Sequence, residues 1–114
     1  MKYSSARLVK VAQALKTVPT KEGKAFALQF EHGSLQLEIY APKVRDLQEP
    51  HSRDELYVVI AGSGWFLVEG QRLRFSPGDV LFAAAGEVHR FVDFTEDFAV
   101  WVMFYGPEGG ERVR

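Results

Sequence analysis

From Phe26 onward, short runs rich in Val, Ile, Leu and aromatic residues alternate with clusters of Gly, Pro, Ser, Asp and Glu. The runs recur at intervals of about ten residues, which is the pattern of an all-β sandwich or barrel. Eight strands are predicted, over residues 25–30, 35–40, 54–61, 65–68, 72–75, 80–83, 88–92 and 98–104. Pro77-Gly78 suits a type II turn, with proline fixing φ at the first central position and glycine supplying a positive φ at the second. Ahead of the strands, Leu8, Val11, Ala12 and Leu15 recur at helical spacing. They predict one short amphipathic helix over residues 5–15, capped by Ser4 or Ser5 and packed on the outside of the barrel. Residues 1–20 thus form a helix and lead-in, 21–106 the barrel, and 107–114 a flexible tail made loose by Pro107, Gly109 and Gly110.

Two of the predicted strands, 56–61 and 98–104, are apolar on both faces. One face of each lines the barrel interior, so the other must be covered. A homodimer using part of this surface is expected, the alternative being a monomer whose own termini cover it.

Composition narrows the classes of function. The 114 residues fit one domain, and 46% hydrophobic with 25% charged residues is ordinary for a folded globular chain. The net charge is −1 and the basic residues are scattered, so the stripe that a phosphate backbone requires is missing and nucleic acid is not an expected partner. With no cysteine, thiolate chemistry and thiolate metal sites are excluded, and any metal must be held by His, Asp or Glu. Lys2, Arg7, Lys10 and Lys16 interrupt the N-terminal stretch, and no run approaches the ~18 apolar residues of a membrane span. The default expectation is a cytoplasmic protein.

The richest stretch for chemistry is Glu49-Pro50-His51-Ser52-Arg53-Asp54-Glu55, which leads into a strong strand. In extended chain, even spacing puts Glu49, His51, Arg53 and Glu55 on the same face as Tyr57 and Val59, the barrel interior. Carboxylates brought together in a low-dielectric pocket repel and lose hydration, and a divalent cation is the simplest remedy. Mixed His and carboxylate donors suit iron, manganese, nickel, cobalt, copper or zinc. The spacing alone also fits an exposed strand end.

A second stretch, from Pro77 through His89 to Asp93, completes a resemblance. The cupin superfamily carries one motif of the form H-x-H-x3-E-x6-G and a second of the form P-x-G-x2-H-x3-N. Here the first reads Glu49, His51, Glu55 and Gly62, and the second reads Ala84, Gly86, His89 and Asp93, so from Leu37 to Tyr105 the chain resembles a small single-domain cupin. The departures are Glu49 for the first histidine, Ala84 for proline and Asp93 for asparagine.

The resemblance implies an all-β fold, a double-stranded β-helix or jelly-roll barrel, with His51, Glu55 and His89 as ligands of one divalent transition metal and the fourth ligand slot on Glu49. Glu49 has two other readings, a bond to Arg53 and exposure to solvent. Glu49 and Tyr57 are the candidate acid and base, and Arg53 and Tyr57 the candidates for orienting an anionic substrate. His32 reads as a hairpin residue, Trp65 and Trp101 as core or interface, and Arg90 as pointing away from the interior. Three functions follow: a metal-dependent enzyme of dioxygenase, isomerase or cyclase type acting on a small polar molecule, a non-catalytic metal or small-molecule binding or sensor module, and a metal-free barrel with a vestigial site that holds an organic anion through Arg53.

Overall fold

The computed structural model describes residues 6–46 and 49–113. Its elements are one short helix, α1 (Val11–Leu15), and eight strands: β1 (Phe26–His32), β2 (Leu35–Tyr40), β3 (Asp54–Ala61), β4 (Gly64–Val68), β5 (Gln71–Phe75), β6 (Val80–Ala83), β7 (His89–Val92) and β8 (Ala99–Tyr105). They form two antiparallel sheets, a five-stranded one in the order β1-β2-β8-β3-β6 and a three-stranded one in the order β5-β4-β7. All eight expected strands are present, and the fold is the expected all-β cupin barrel.

The space between the sheets is filled largely by rings. Phe91 on β7 stands at the centre, with the rings of Tyr57, Phe66 and Phe98 centred 5.0, 5.0 and 4.8 Å away and Phe75 at 5.6 Å, spacings at which edge-on and tilted contacts are favourable. Between Ser76 and Asp79 the chain turns on Pro77-Gly78, with Gly78 at φ +90° and the Asp79 N–H donating to the Ser76 carbonyl. This is the turn expected from the proline and glycine.

Three features differ from expectation. The helix covers 11–15, not 5–15, and the proposed caps Ser4 and Ser5 lie outside the described residues. Its apolar stripe is not buried: Leu8, Val11 and Leu15 stay exposed while Ala14 is fully buried. A methyl side chain lets the helix backbone approach closely, which the longer stripe residues would prevent. The segment just past the helix is tied to β1, where the Gln29 side chain donates to Thr17 Oγ1 at 3.0 Å.

The third difference is the segment after Gly106, expected to be loose. Gly109 N–H donates to the Ser52 carbonyl at 2.7 Å, and the Glu111 N–H to Asp54 Oδ2 at 2.9 Å. Asp54 Oδ1 meanwhile accepts the Ala85 N–H. One buried carboxylate therefore joins the start of β3, the turn before β7 and the C-terminal segment, and satisfied buried carboxylates of this kind rigidify what they join.

Candidate metal centre

Glu55 is the first inward-facing residue of β3, flanked by Ala83 on β6 and Phe104 on β8, and it is 1% exposed. His89 opens β7 on the opposite sheet and is equally enclosed, while His51 lies half-buried just ahead of β3. The Gly86 N–H donates to the His51 carbonyl at 2.7 Å, so the turn before β7 is fastened to the segment that carries the other histidine.

Three donor atoms converge. His89 Nε2 is 2.6 Å from Glu55 Oε1, His51 Nε2 is 3.9 Å from the same oxygen, and one ligand atom from each residue lies within 4.8 Å of the others. The 2.6 Å contact lacks hydrogen-bond geometry: His89 Nε2 and both Glu55 carboxylate oxygens are buried without a directed partner. Each such orphan costs about 1–3 kcal/mol. Ligand atoms gathered this closely, with those of Glu55 and His89 otherwise unsatisfied, are what a bound cation satisfies.

His89 is oriented for that role. Its Nδ1 lies 2.8 Å from the Glu87 carbonyl, which can only accept, so Nδ1 carries the proton and Nε2 faces the cluster. Burial lowers the pKa of this imidazole, but the Glu55 carboxylate, the Glu87 carbonyl and the Asp46 charge together outweigh it and hold the pKa above the ordinary histidine value. The pull of Glu55 on His89 is one of charge at short range, since the geometry is not that of a directed bond. The raised pKa favours the imidazolium form of His89 beside the Glu55 carboxylate.

A cavity of about 400 Å³ opens beside the cluster, its wall formed by Gln36, Glu38, His51, Arg53, Glu55 and Phe104 among others. Arg53 lies on this wall, donating to the Ser34 carbonyl at 2.5 Å and to Gln36 Oε1. Glu49 also lines the cavity but is exposed and stands outside the three-residue cluster. Tyr57 does face inward, yet it is 0% exposed, packed between Phe66, Phe91 and His89, and does not line the cavity. His32 and Arg90 are exposed, Trp101 is half-buried, and Trp65 is half-buried beneath Arg72 and Arg74.

Two acidic residues were not foreseen. Glu38 on β2 lines the cavity, and burial, with the charge of Glu55 second, pushes its pKa up. Asp46, 2% exposed, accepts the Tyr40 hydroxyl and, at 2.8 Å, the Phe91 N–H, anchoring the segment that leads from β2 toward His51. Burial first, then the bond to Asp46, raises the Tyr40 pKa. A signal for Glu38 exists in the alternation Leu35-Gln36-Leu37-Glu38-Ile39-Tyr40, whose polar members share one face.

Comparison with known proteins agrees with this architecture. A solved cupin-2 domain containing protein from Shewanella frigidimarina superposes with a TM-score of 0.68 at 12% identity, over 87% of this chain and 95% of its own. KdgF from Halomonas sp. gives 0.63 at 22% identity, over 73% and 78%, and the DMSP lyase DddQ from Ruegeria pomeroyi gives 0.63 at 22%, over 93% and 54%. In sequence, an uncharacterized protein of Streptomyces coelicolor is 36% identical over 63 residues, 55% of this chain and 60% of that protein's length. The cupin domain model matches residues 36–105, most of the barrel and both motifs, and the chain therefore belongs to the cupin domain family.

Proposed function

We propose that this cupin holds one divalent transition metal on His51, Glu55 and His89 and acts on a small polar molecule in the adjoining cavity as a metal-dependent enzyme. The observation that carries the reading is the convergence of three ligand atoms within 4.8 Å, with His89 Nε2 and both Glu55 oxygens buried and otherwise unsatisfied. Two imidazole nitrogens and a carboxylate oxygen suit Fe(II), Mn(II), Co(II), Ni(II), Cu(II) or Zn(II). Such an ion, when bound with open positions, polarises a carbonyl or hydroxyl of the substrate as a Lewis acid or, if redox-active, engages dioxygen.

The chain's own residues do the rest. His89 is held in one tautomer by the Glu87 carbonyl. Phe104 packs against the His51 ring at 4.9 Å and restricts its rotation. On the cavity wall, Glu38 and Glu49 are the groups placed to move a proton, in contrast to Tyr57, which is sealed in the core. Glu49, exposed but lining the same cavity, is the candidate for a fourth ligand.

Elemental analysis by inductively coupled plasma mass spectrometry tests the reading. Near one equivalent of a transition metal is expected in the parent after incubation with Fe(II), Mn(II), Ni(II) and Zn(II) in turn, with loss in His51→Ala and His89→Ala. A parent that stays metal-free would leave the barrel as an organic-anion binder through Arg53.

Two further parts of the reading concern setting. A homodimer is supported by the outward faces of β3 and β8, where Val58, Ile60, Trp101 and Met103 keep partial exposure beside the more open Val80 and Phe82 of edge strand β6. Sedimentation equilibrium should give twice the 12.9 kDa chain mass, and a value equal to one chain would exclude it. A cytoplasmic setting accords with the lack of cysteine, and no helix among the described residues is long and apolar enough to cross a membrane.

A further inference from the structure

We propose that the cavity takes a small carboxylic acid that also carries a hydroxyl or carbonyl oxygen, with its carboxylate paired to Arg53 and the second oxygen directed to the His51, Glu55 and His89 cluster. This inference rests on the metal-site reading above. Arg53 is half-buried and held in place by the Ser34 carbonyl and the Gln36 side chain, which occupy two of the five N–H donors of a guanidinium. Among the described residues no carboxylate forms an ion pair with it. A fixed, partly desolvated guanidinium with donors to spare is complementary to a carboxylate, which it binds as a planar fork.

The second contact point lies beside the first. The Arg53 guanidinium and the His51 ring approach the same Phe104 ring, at 5.8 and 4.9 Å from its centroid, and all three residues line one cavity. One small molecule can therefore span Arg53 and the metal cluster. The pairing register places Gln36 beside Phe104 and Glu38 beside Val102, so Glu38 stands one row deeper on the same inner face. No hydrogen bond or ion pair within the described residues occupies its carboxyl group, which leaves it available to an oxygen of the bound acid. Phe26, Tyr40, Val102 and Phe104 supply an apolar wall for the remainder of the acid.

The test uses the full chain loaded with Mn(II), whose occupancy and open positions are read by water-proton relaxation. Three probes of like size are then titrated: mandelate, phenylacetate, which lacks the hydroxyl, and the uncharged phenylethanediol. Mandelate should bind about tenfold or more tighter than either relative and displace metal-bound water, as expected for one charge-assisted contact plus one metal contact. Arg53→Gln should bring mandelate to the level of the diol with Mn(II) affinity unchanged. Should Arg53→Gln lose the metal or fail to fold, Arg53→Lys and the three-probe comparison on the parent decide.

Equal binding of the three probes to loaded protein, or undiminished mandelate affinity in Arg53→Gln, overturns the inference and leaves the metal site standing. A parent that takes up no Mn(II) or other divalent metal overturns the metal reading, and the inference falls with it.

Discussion

Replacing Glu55 with glutamine is expected to abolish the rise in melting temperature that Zn(II) gives the parent chain. A ligand present at about 100 times its Kd stabilises the folded state by about 2.7 kcal/mol, which for a domain of this size is on the order of 10 °C. Glutamine keeps the volume of Glu55 in a site that is 1% exposed, so packing is preserved while the anionic ligand is lost. Calorimetry with Zn(II) and with chelator reads the increment directly, and a variant that retains it in full would place the metal elsewhere. The pH dependence has a definite sign. Since the folded-state pKa of His89 lies above its ordinary value, protonation of His89 stabilises the metal-free fold fully below the unfolded pKa of about 6.5, and this contribution fades as pH rises through the folded value. A metal must displace that proton, so the Zn(II) increment should grow with rising pH over the same window and level off above it.

Gly62→Ala is expected to be among the most destabilising single substitutions in the chain, by about 3 kcal/mol or more. Gly62 has φ +85°, and a β-carbon there would lie 2.6 Å from the Phe98 Cα and 2.9 Å from the Phe98 backbone nitrogen. Backbone cannot rotate aside as a side chain can. Phe98 is itself fully buried and packs on Phe91 and Phe75, so any retreat opens the aromatic core. Gly33→Ala is the matched control: its φ is +58°, but nothing lies within 4 Å, so it should cost only the conformational penalty of about 1 kcal/mol. Chemical denaturation of both variants separates the two effects, and equal losses would show that the close approach at Gly62 carries no weight.

The barrel was legible in the sequence because its cues are local. Strand periodicity, glycine and proline punctuation, and the spacing of Glu49, His51, Glu55, Gly62, Gly86, His89 and Asp93 can all be read without knowing what lies opposite. Even a departure from the motif has a local reason: Asp93 sits at φ +50°, a left-handed conformation that asparagine and aspartate tolerate better than most residues. The inward direction of Glu55 followed from alternation because it lies inside β3. Glu49, which precedes the strand, lines the same cavity but is exposed and lies outside the three-residue cluster.

What alternation cannot say is which face of a strand is the inner one. On β2 the ordinary preference would bury Leu37 and Ile39 and expose Gln36 and Glu38, yet pairing with β8 turns Gln36 and Glu38 onto the cavity wall while Ile39 is fully buried on the other face. Likewise the burial of Ala14 in place of Leu8 and Leu15, the fastening of Glu111 by Asp54, and the placement of Tyr57 in the core and Arg53 on the wall depend on partners far away in sequence. The sequence by itself determined the strands, their turns and the kinds of ligand atoms on offer, since these are set by neighbours along the chain. Only the tertiary structure decided which polar side chains share a cavity, because that depends on how the two sheets pair and close.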